Sequence, residues 1–500
     1  MADDLLVDVL HAARDHGPAP ALTGAGGRTL TYRELSGKVL ATAHRLRERG
    51  FAPGTRMLFS VRPGPDAIVL ALGAVAAGGT VVFVDPGVGP ELFARRLDLA
   101  GPGWAAAESL LYAASAPGPL RALARRRGVL LPDYAALPVR HIRSGPWLPG
   151  VPWRAVSTRA LSRPVPDAPL PEPAPDQDAV VVFTSGTTAA PKAVVHTRGS
   201  LGAALRVLAT RCALGPDARV HTDQMMLGLP ALVAGAHWTM PPCGFAPSAD
   251  PAALAAGLDG ATHTFLVPAD LAVILDSGVA LPGSLRQVLL GSAPVLPPLV
   301  RRAQRALPGV EFLAVYGMTE ILPVAIATGD EKVRHGGDLL GRPLPGVSAR
   351  VAEDGELLVS GANMCRGYLG EPPMTEHATG DLVRLEDGRL VLTGRKKDMI
   401  IRGSTNVYPG LHEPAVAGLP GVASAVLVGV PDEIGDERIV LVLTALPGTG
   451  PGLADRVRAA LPGLIDASAL PDEVTVVDEL PVSGRLRKVD RAALRARFTR

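Results

Sequence analysis

Through the first four hundred residues, stretches with apolar side chains at helical spacing alternate with short runs rich in β-branched residues. Residues 30–50, LTYRELSGKVLATAHRLRERG, predict a helix with Thr31 as N-cap and Glu34 at capping-box distance. MLFSV at 57–61 predicts a strand. Repeated in this order, such units predict an α/β fold in which helices cover parallel sheets. Residues 67–84, AIVLALGAVAAGGTVVFV, are uncharged and long enough to raise a membrane-spanning helix. Gly78 and Gly79 interrupt the run, Asp66 and Asp85 bracket it, and its β-branched residues gather after the glycines. Helix, tight turn and buried strand account for that order, so no membrane span is expected.

Two breaks organise the chain. Residues 164–178 are proline-rich, which excludes a helix or central strand and predicts an extended loop leading into the apolar run AVVVF. Near Gly394, RLVLTG gives way to the charged RKKDMIIRG; beyond it, VASAVLVGV, ERIVLVLTAL and EVTVVDEL supply strands for a small α+β domain. Five hundred residues exceed the size at which a single core keeps growing, so at least two domains are expected.

Composition narrows the class. With 47% hydrophobic and 20% charged residues the chain is globular, not disordered. A formal charge of +2 without a basic stripe disfavours nucleic acid, and the ALARRR cluster at 122–127 reads as a solvated helix face. Cys212, Cys243 and Cys365 show no CxxC spacing, which indicates neither a disulfide framework nor a zinc site. The start, MADDLLVDVL, carries acids where a secretory signal carries positive charge. A cytoplasmic location is expected.

The densest chemistry follows AVVVF: TSGTTAAPK at 184–192 packs four hydroxyls, a glycine and a lysine into a turn suited to phosphate oxygens. It is not a Walker loop, because Pro191 stands at the second glycine position and Ala193 follows Lys192. YGMTE at 316–320 follows EFLAV and sits where ligands bind in open α/β sheets, with Glu320 able to hold magnesium against phosphates. In TGDLVRLEDGRLVLTGRKKD, residues 379–398, Asp381 precedes a hairpin turn at Glu386, Asp387 and Gly388, and Arg395 follows it. Asp381 can accept from ribose hydroxyls and Arg395 can donate to the same sugar or a phosphate.

Taken in order, these segments resemble the adenylate-forming superfamily of acyl-CoA synthetases, peptide-synthetase adenylation domains and luciferases. The resemblance runs over nearly the whole chain and includes TLTYRELSGKV near the start, GSAPV at 291–295, RGYLG at 366–370 and KVDRAAL at 488–494. It implies a large multi-sheet α/β N-terminal domain, 1–394, and a small mobile α+β C-terminal domain, 395–500. It also implies an AMP-forming ligase that uses ATP and Mg2+ to turn an oxyacid, expected to be a carboxylic acid, into an adenylate plus pyrophosphate. The acyl group then passes to CoA, a carrier-protein thiol, an amine or an internal hydroxyl. By the same resemblance Thr184, Ser185, Gly186, Thr187 and Thr188 form the phosphate loop with Lys192. Gly291, Ser292, Ala293 and Pro294, with Tyr316 and Gly317, frame the adenine. Thr319 and Glu320 sit by the α-phosphate, Glu320 and Thr187 hold the metal, and Asp381 and Arg395 bind ribose. Lys397 matches the hinge, and Lys488 the lysine that the small domain inserts during adenylation.

The chain departs from the family pattern in places. Ala189 and Ala193 replace glycines of the phosphate loop, GRLRK leaves Arg485 as a rival to Lys488, and LHEPAV at 411–416 departs from the usual acidic pattern after the hinge. In the acid-binding region, HTDQMMLGLPALVAGAHW at 221–238, Met225 and Met226 stand where relatives carry an aromatic or histidine gate and read as lining of the substrate pocket, while His221 and His237 could touch substrate but read in preference as packed structural histidines. VFVDPGVG at 82–89 and YGMTEILPVA at 316–325 resemble the olefin β-lactone synthetase branch, which adenylates a β-hydroxy acid. Aryl acids, and nitrite in the ATP-dependent diazotases, are the other substrates this resemblance allows. A catalytically silent nucleotide- or carrier-binding descendant is the alternative from another class. An oxidoreductase would need a GxGxxG turn between strand and helix, and none occurs in that setting.

Overall fold

The computed structural model describes residues 3–499 apart from 85–89, 127–130, 167, 184–191, 336, 403–404, 408, 432–436, 466–468 and 484–487. Thr184, Ser185, Gly186, Thr187 and Thr188, and Arg485, therefore lie outside the described residues.

The expected helix is Tyr32–Glu48, and its capping box is formed: Thr31 Oγ1 accepts from the Glu34 N–H, and the Glu34 carboxylate accepts from the Thr31 N–H at 2.9 Å. The uncharged run folds as the helix Pro65–Ala76, a turn with Gly78 at φ 97°, and the strand Thr80–Phe83. No described helix is long and apolar enough to cross a membrane.

Two large sheets build the first domain among the described residues. In the eight-stranded sheet, Asp178–Phe183, Thr80–Phe83, Arg56–Ser60 and Trp104–Glu108 are parallel neighbours. The thirteen-stranded sheet has a parallel centre of Arg219–His221, His263–Leu266, Gln287–Leu290 and Glu311–Tyr316. Helices fill the space between: one buried cluster joins Phe59 and Val81 of the first sheet to Val220 and Leu289 of the second through Leu35, Val39, Leu70 and Leu205.

The expectation of helix-covered parallel sheets holds for the sheet centres but not for their edges, since Thr29–Thr31 and Ala193–Thr197 already pair antiparallel ahead of Tyr316. Beyond it Ala325–Thr328, Leu339–Pro343, His377–Glu386 and Arg389–Arg395 join the same sheet in antiparallel pairs. The connection from Glu386 to Arg389 leaves no room for a crossover helix, and Asp387 and Gly388, at φ 49° and 73°, make the two-residue turn that antiparallel neighbours use.

The small C-terminal domain contains a three-stranded sheet of Val422–Pro431, Glu437–Ala445 and Glu473–Val476. Alternate residues point to opposite faces of a strand, and both faces are covered here. Leu427, Ile439 and Leu441 pack with Val416, Leu453 and Val457 on one side, while Val426, Val428 and Val440 pack with Leu494 on the other.

Candidate functional site

Tyr316 is the last residue of the strand Glu311–Tyr316, where the parallel part of the sheet meets its antiparallel extension. Asp381 and Arg395 come from the two strands of a hairpin further along the same sheet and stand directly opposite each other. The Tyr316 hydroxyl donates to Asp381 Oδ2 at 2.7 Å, and Arg395 Nε pairs with Asp381 Oδ1 at 2.8 Å. Asp381 is buried and Arg395 exposed, so the carboxylate is held at the inner end of a half-open pair. Burial first, then the Asp381 charge, pushes the Tyr316 phenol far up, which keeps it a neutral donor.

Backbone at two glycines closes around Tyr316. A Cβ on Gly291 would meet the Phe265 ring at 3.3 Å and the Val315 carbonyl at 3.4 Å, and one on Gly317 would lie 2.5 Å from Leu322 Cδ1. Ser292 follows in the left-handed region at φ 66°, which turns the chain away from the strand Gln287–Leu290. Ser292 and Pro294 are exposed and Ala293 half-buried, so this turn faces solvent beside the tyrosine's strand.

A second group forms around Glu320. The strand Ala193–Thr197 pairs antiparallel with Gly367–Tyr368, which sets Tyr368 opposite Val194 and near Lys192. The Tyr368 hydroxyl donates to Glu320 Oε1 at 2.9 Å, while Lys192 Nζ lies 5.0 Å from the centroid of the Tyr368 ring. Burial, then the Glu320 charge, pushes the Tyr368 phenol up. His196, buried on the same strand as Val194, reaches the Thr319 carbonyl with Nε2 at 2.7 Å and Ser200 Oγ with Nδ1 at 3.3 Å. Burial lowers the His196 pKa against the pull of that carbonyl and of Glu320, so the neutral ring donates its Nε2–H to Thr319. From the other side the Cys365 N–H donates to the Glu320 carbonyl at 2.7 Å, and Asn363 Nδ2 to the Pro323 carbonyl at 2.7 Å. The segment carrying Thr319 and Glu320 is thus clamped from two directions.

Residues 9–369 match the family model of the AMP-binding enzyme, and residues 412–485 that of the AMP-binding enzyme C-terminal domain. The chain belongs to the AMP-binding enzyme family. A salicyl-AMP ligase / salicyl-S-ArCP synthetase of Mycobacterium tuberculosis (strain ATCC 25618 / H37Rv) is 30% identical, the alignment covering 97% of this chain and 87% of that protein. A 3-[(3aS,4S,7aS)-7a-methyl-1,5-dioxo-octahydro-1H-inden-4-yl]propanoyl:CoA ligase of Rhodococcus jostii (strain RHA1) is 37% identical over 41% of this chain and 42% of its own length. The amide bond synthetase McbA from Marinactinospora thermotolerans superposes with a TM-score of 0.80 at 27% identity, covering 99% of this chain and all of that one. These are acid ligases with different acceptors, and the AMP-binding enzyme described here is an ATP-dependent, AMP-forming acid ligase.

Within this AMP-binding enzyme the structure gathers Tyr316, Asp381 and Arg395 in one group and Lys192, Thr319 and Glu320 in another, with Gly317 between them in sequence. Lys488 is exposed in the small domain, on the two-residue strand Lys488–Val489, in register with Ser483. Lys397 falls in the short 3-10 turn Lys396–Asp398 that follows Arg395. Met225 and Met226 open the helix Met225–Val233 and are half-buried. His221 is buried with Nδ1 2.9 Å from Thr239 Oγ1 and its other edge against Gly257, and His237 Nε2 lies 2.7 Å from Thr23 Oγ1; both rings bond inside the sheet. Tyr368, His196 and His377 are the site residues that sequence reasoning missed. RGYLG held Tyr368 in plain view without a role, and His377, whose pKa burial lowers while Glu320 opposes, gave no signal at all.

The donor set suits a magnesium nucleotide. No group of three or more His, Cys, Asp or Glu able to hold a metal occurs among the described residues. Magnesium needs no such cage, since one or two carboxylates plus substrate phosphates hold it, and Glu320 supplies a carboxylate beside Lys192.

Proposed function

We propose that the first half-reaction is attack of a carboxylate oxygen on the α-phosphate of ATP, with the bond to the bridging oxygen breaking to release pyrophosphate. The observation that carries this reading is the buried Asp381 carboxylate, presented by Tyr316 and Arg395 at the strand end next to the Glu320–Tyr368–Lys192 group. Asp381 accepts the ribose hydroxyls with Arg395 beside it, and the turn from Gly291 to Pro294 frames the adenine against Tyr316. Residues 184–188 and Lys192 receive the β- and γ-phosphates, and Thr319 lies by the α-phosphate. Glu320, with Thr187, would hold Mg2+, which supplies charge neutralisation on the phosphates when bound. The domains divide at 394/395, and rotation about Lys397 brings Lys488 onto the charge that builds during attack.

The acid lies against Met225 and Met226, with His221 and His237 serving the sheet behind it. Relatives that use CoA, a carrier protein or amide formation support any of those acceptors here. A β-hydroxy acid closing to a β-lactone, or nitrite passed to an amine, are the variants that the sequence around 82–89 and 316–325 keeps in view. Either would place the enzyme in specialised metabolism. Three cysteines without a disulfide, two of them buried, support work in the reducing cytoplasm.

Pyrophosphate–ATP exchange across a panel of aliphatic, aryl and β-hydroxy acids and nitrite tests the reading. Exchange with at least one acid is expected; none with any acid would leave a silent nucleotide-binding protein. Lys488→Ala should lower adenylation by roughly 100-fold or more, the loss typical of one transition-state charge partner, while ATP binding persists. Adenylation that survives the substitution hands the role to Arg485.

A further inference from the structure

Tyr368 touches both charges of the phosphate-binding group, and in opposite ways. Its hydroxyl bonds the Glu320 carboxylate at 2.9 Å, and its ring takes the Lys192 ammonium at 5.0 Å from the centroid. An ammonium and a carboxylate that share one side chain as neighbour would gain by meeting directly, and a triphosphate with its cation would then have to separate them. The tyrosine is the side chain that both of them contact. Its own placement is secured by antiparallel pairing to Val194 on the strand that starts just after Lys192, and by the 319–323 segment pinned through His196, Cys365 and Asn363.

We propose that Tyr368 is a positioning residue, a spacer that keeps Lys192 and Glu320 from pairing with each other so that both stay available to the magnesium–triphosphate of ATP. This rests on the reading of Glu320 as the magnesium carboxylate. The hydroxyl sets the carboxylate's orientation and the ring face gives the ammonium a resting place weak enough to leave, since an exposed cation–π contact is a small interaction.

The test is a thermodynamic cycle in binding, not turnover. Mn2+ affinity is measured by electron paramagnetic resonance in the presence of a non-hydrolysable ATP analogue, for the parent, Tyr368→Phe, Tyr368→Leu, Lys192→Met and the Tyr368→Leu/Lys192→Met pair. Tyr368→Phe should weaken Mn2+ binding about tenfold, as expected for one hydrogen bond to a charged group. Tyr368→Leu should weaken it further, and the Leu substitution should cost several-fold less when Lys192 is already Met, because no ammonium remains to collapse onto Glu320. Equal costs in both backgrounds, or parent-like Mn2+ affinity in both Tyr368 variants, would overturn the spacer. Glu320→Gln separates the two failures: Mn2+ affinity unchanged by that substitution removes the magnesium carboxylate reading itself. Tyr368→Phe keeps the ring and its packing, so it guards against a result caused by misfolding.

Discussion

Asp381 holds a neutral phenol on one oxygen and a guanidinium on the other, and an ionised carboxylate still has lone pairs for further donors. Asp381→Asn keeps the shape but removes the charge and turns half of the acceptor into a donor, which leaves Tyr316 or Arg395 facing an N–H. The expected result is an ATP KM raised about tenfold or more, with the maximal exchange rate falling less, measured by pyrophosphate exchange at varied ATP. A fall in the maximal rate with the ATP KM unchanged would move Asp381 from ground-state nucleotide binding to the transition state. His196 acts differently, through the Thr319 carbonyl, and its neutrality follows from burial among groups that offer it one acceptor and one hydroxyl.

The helix Pro65–Ala76, its glycine turn and the strand Thr80–Phe83 show how a short sequence signal becomes a packed element. A Cβ on Gly79 would lie 2.3 Å from Phe51 Cε1 and 2.8 Å from the Thr55 carbonyl, and the latter is backbone that cannot swing aside. Gly79→Ala should destabilise the domain by about 1–3 kcal/mol, the usual cost of overpacking, read as a fall in the thermal midpoint. An unchanged midpoint would mean that Phe51 relaxes without cost. The antiparallel hairpin of His377–Glu386 and Arg389–Arg395 is the matching case in the second sheet: its register sets Asp381 opposite Arg395. A shift of one residue would turn those side chains to the other face.

The assembled enzyme is tied together at its start by a buried ion pair. Asp4 caps the helix Leu5–Asp15 through the Leu6 and Val7 N–H groups and accepts the Ala174 N–H at 2.9 Å. Arg198, at the head of the helix Arg198–Arg211, pairs with Asp4 at 2.8 Å and also donates to Gln177 and to the Glu172 carbonyl. Both side chains are 2% exposed, so Asp4→Ala leaves a guanidinium buried without its charge partner and should cost about 3–5 kcal/mol in urea unfolding. The Arg14–Asp15 pair, 70% and 54% exposed, is the control and should give no measurable change. At the other end of the chain, Lys488 sits exposed on the small domain, and the proposed chemistry requires that domain to turn about the segment after Arg395.

Elements set by neighbours a few residues apart could be read from the chain: the capped helix at Thr31, the strand Arg56–Ser60, the hairpin turn at Asp387 and Gly388, and the three strands of the small domain. Helical and strand periodicity, caps and turns depend on local backbone geometry, so their signals are local. The order of motifs also identified the family and named Tyr316, Glu320, Asp381 and Arg395. Folding decided what lies between the motifs: the antiparallel strands that extend the sheet after Tyr316, and the placing of Lys192 and Glu320 on one tyrosine, Tyr368. Those outcomes depend on which strands become neighbours and in what register, and such contacts between distant segments leave no periodic trace in a single sequence.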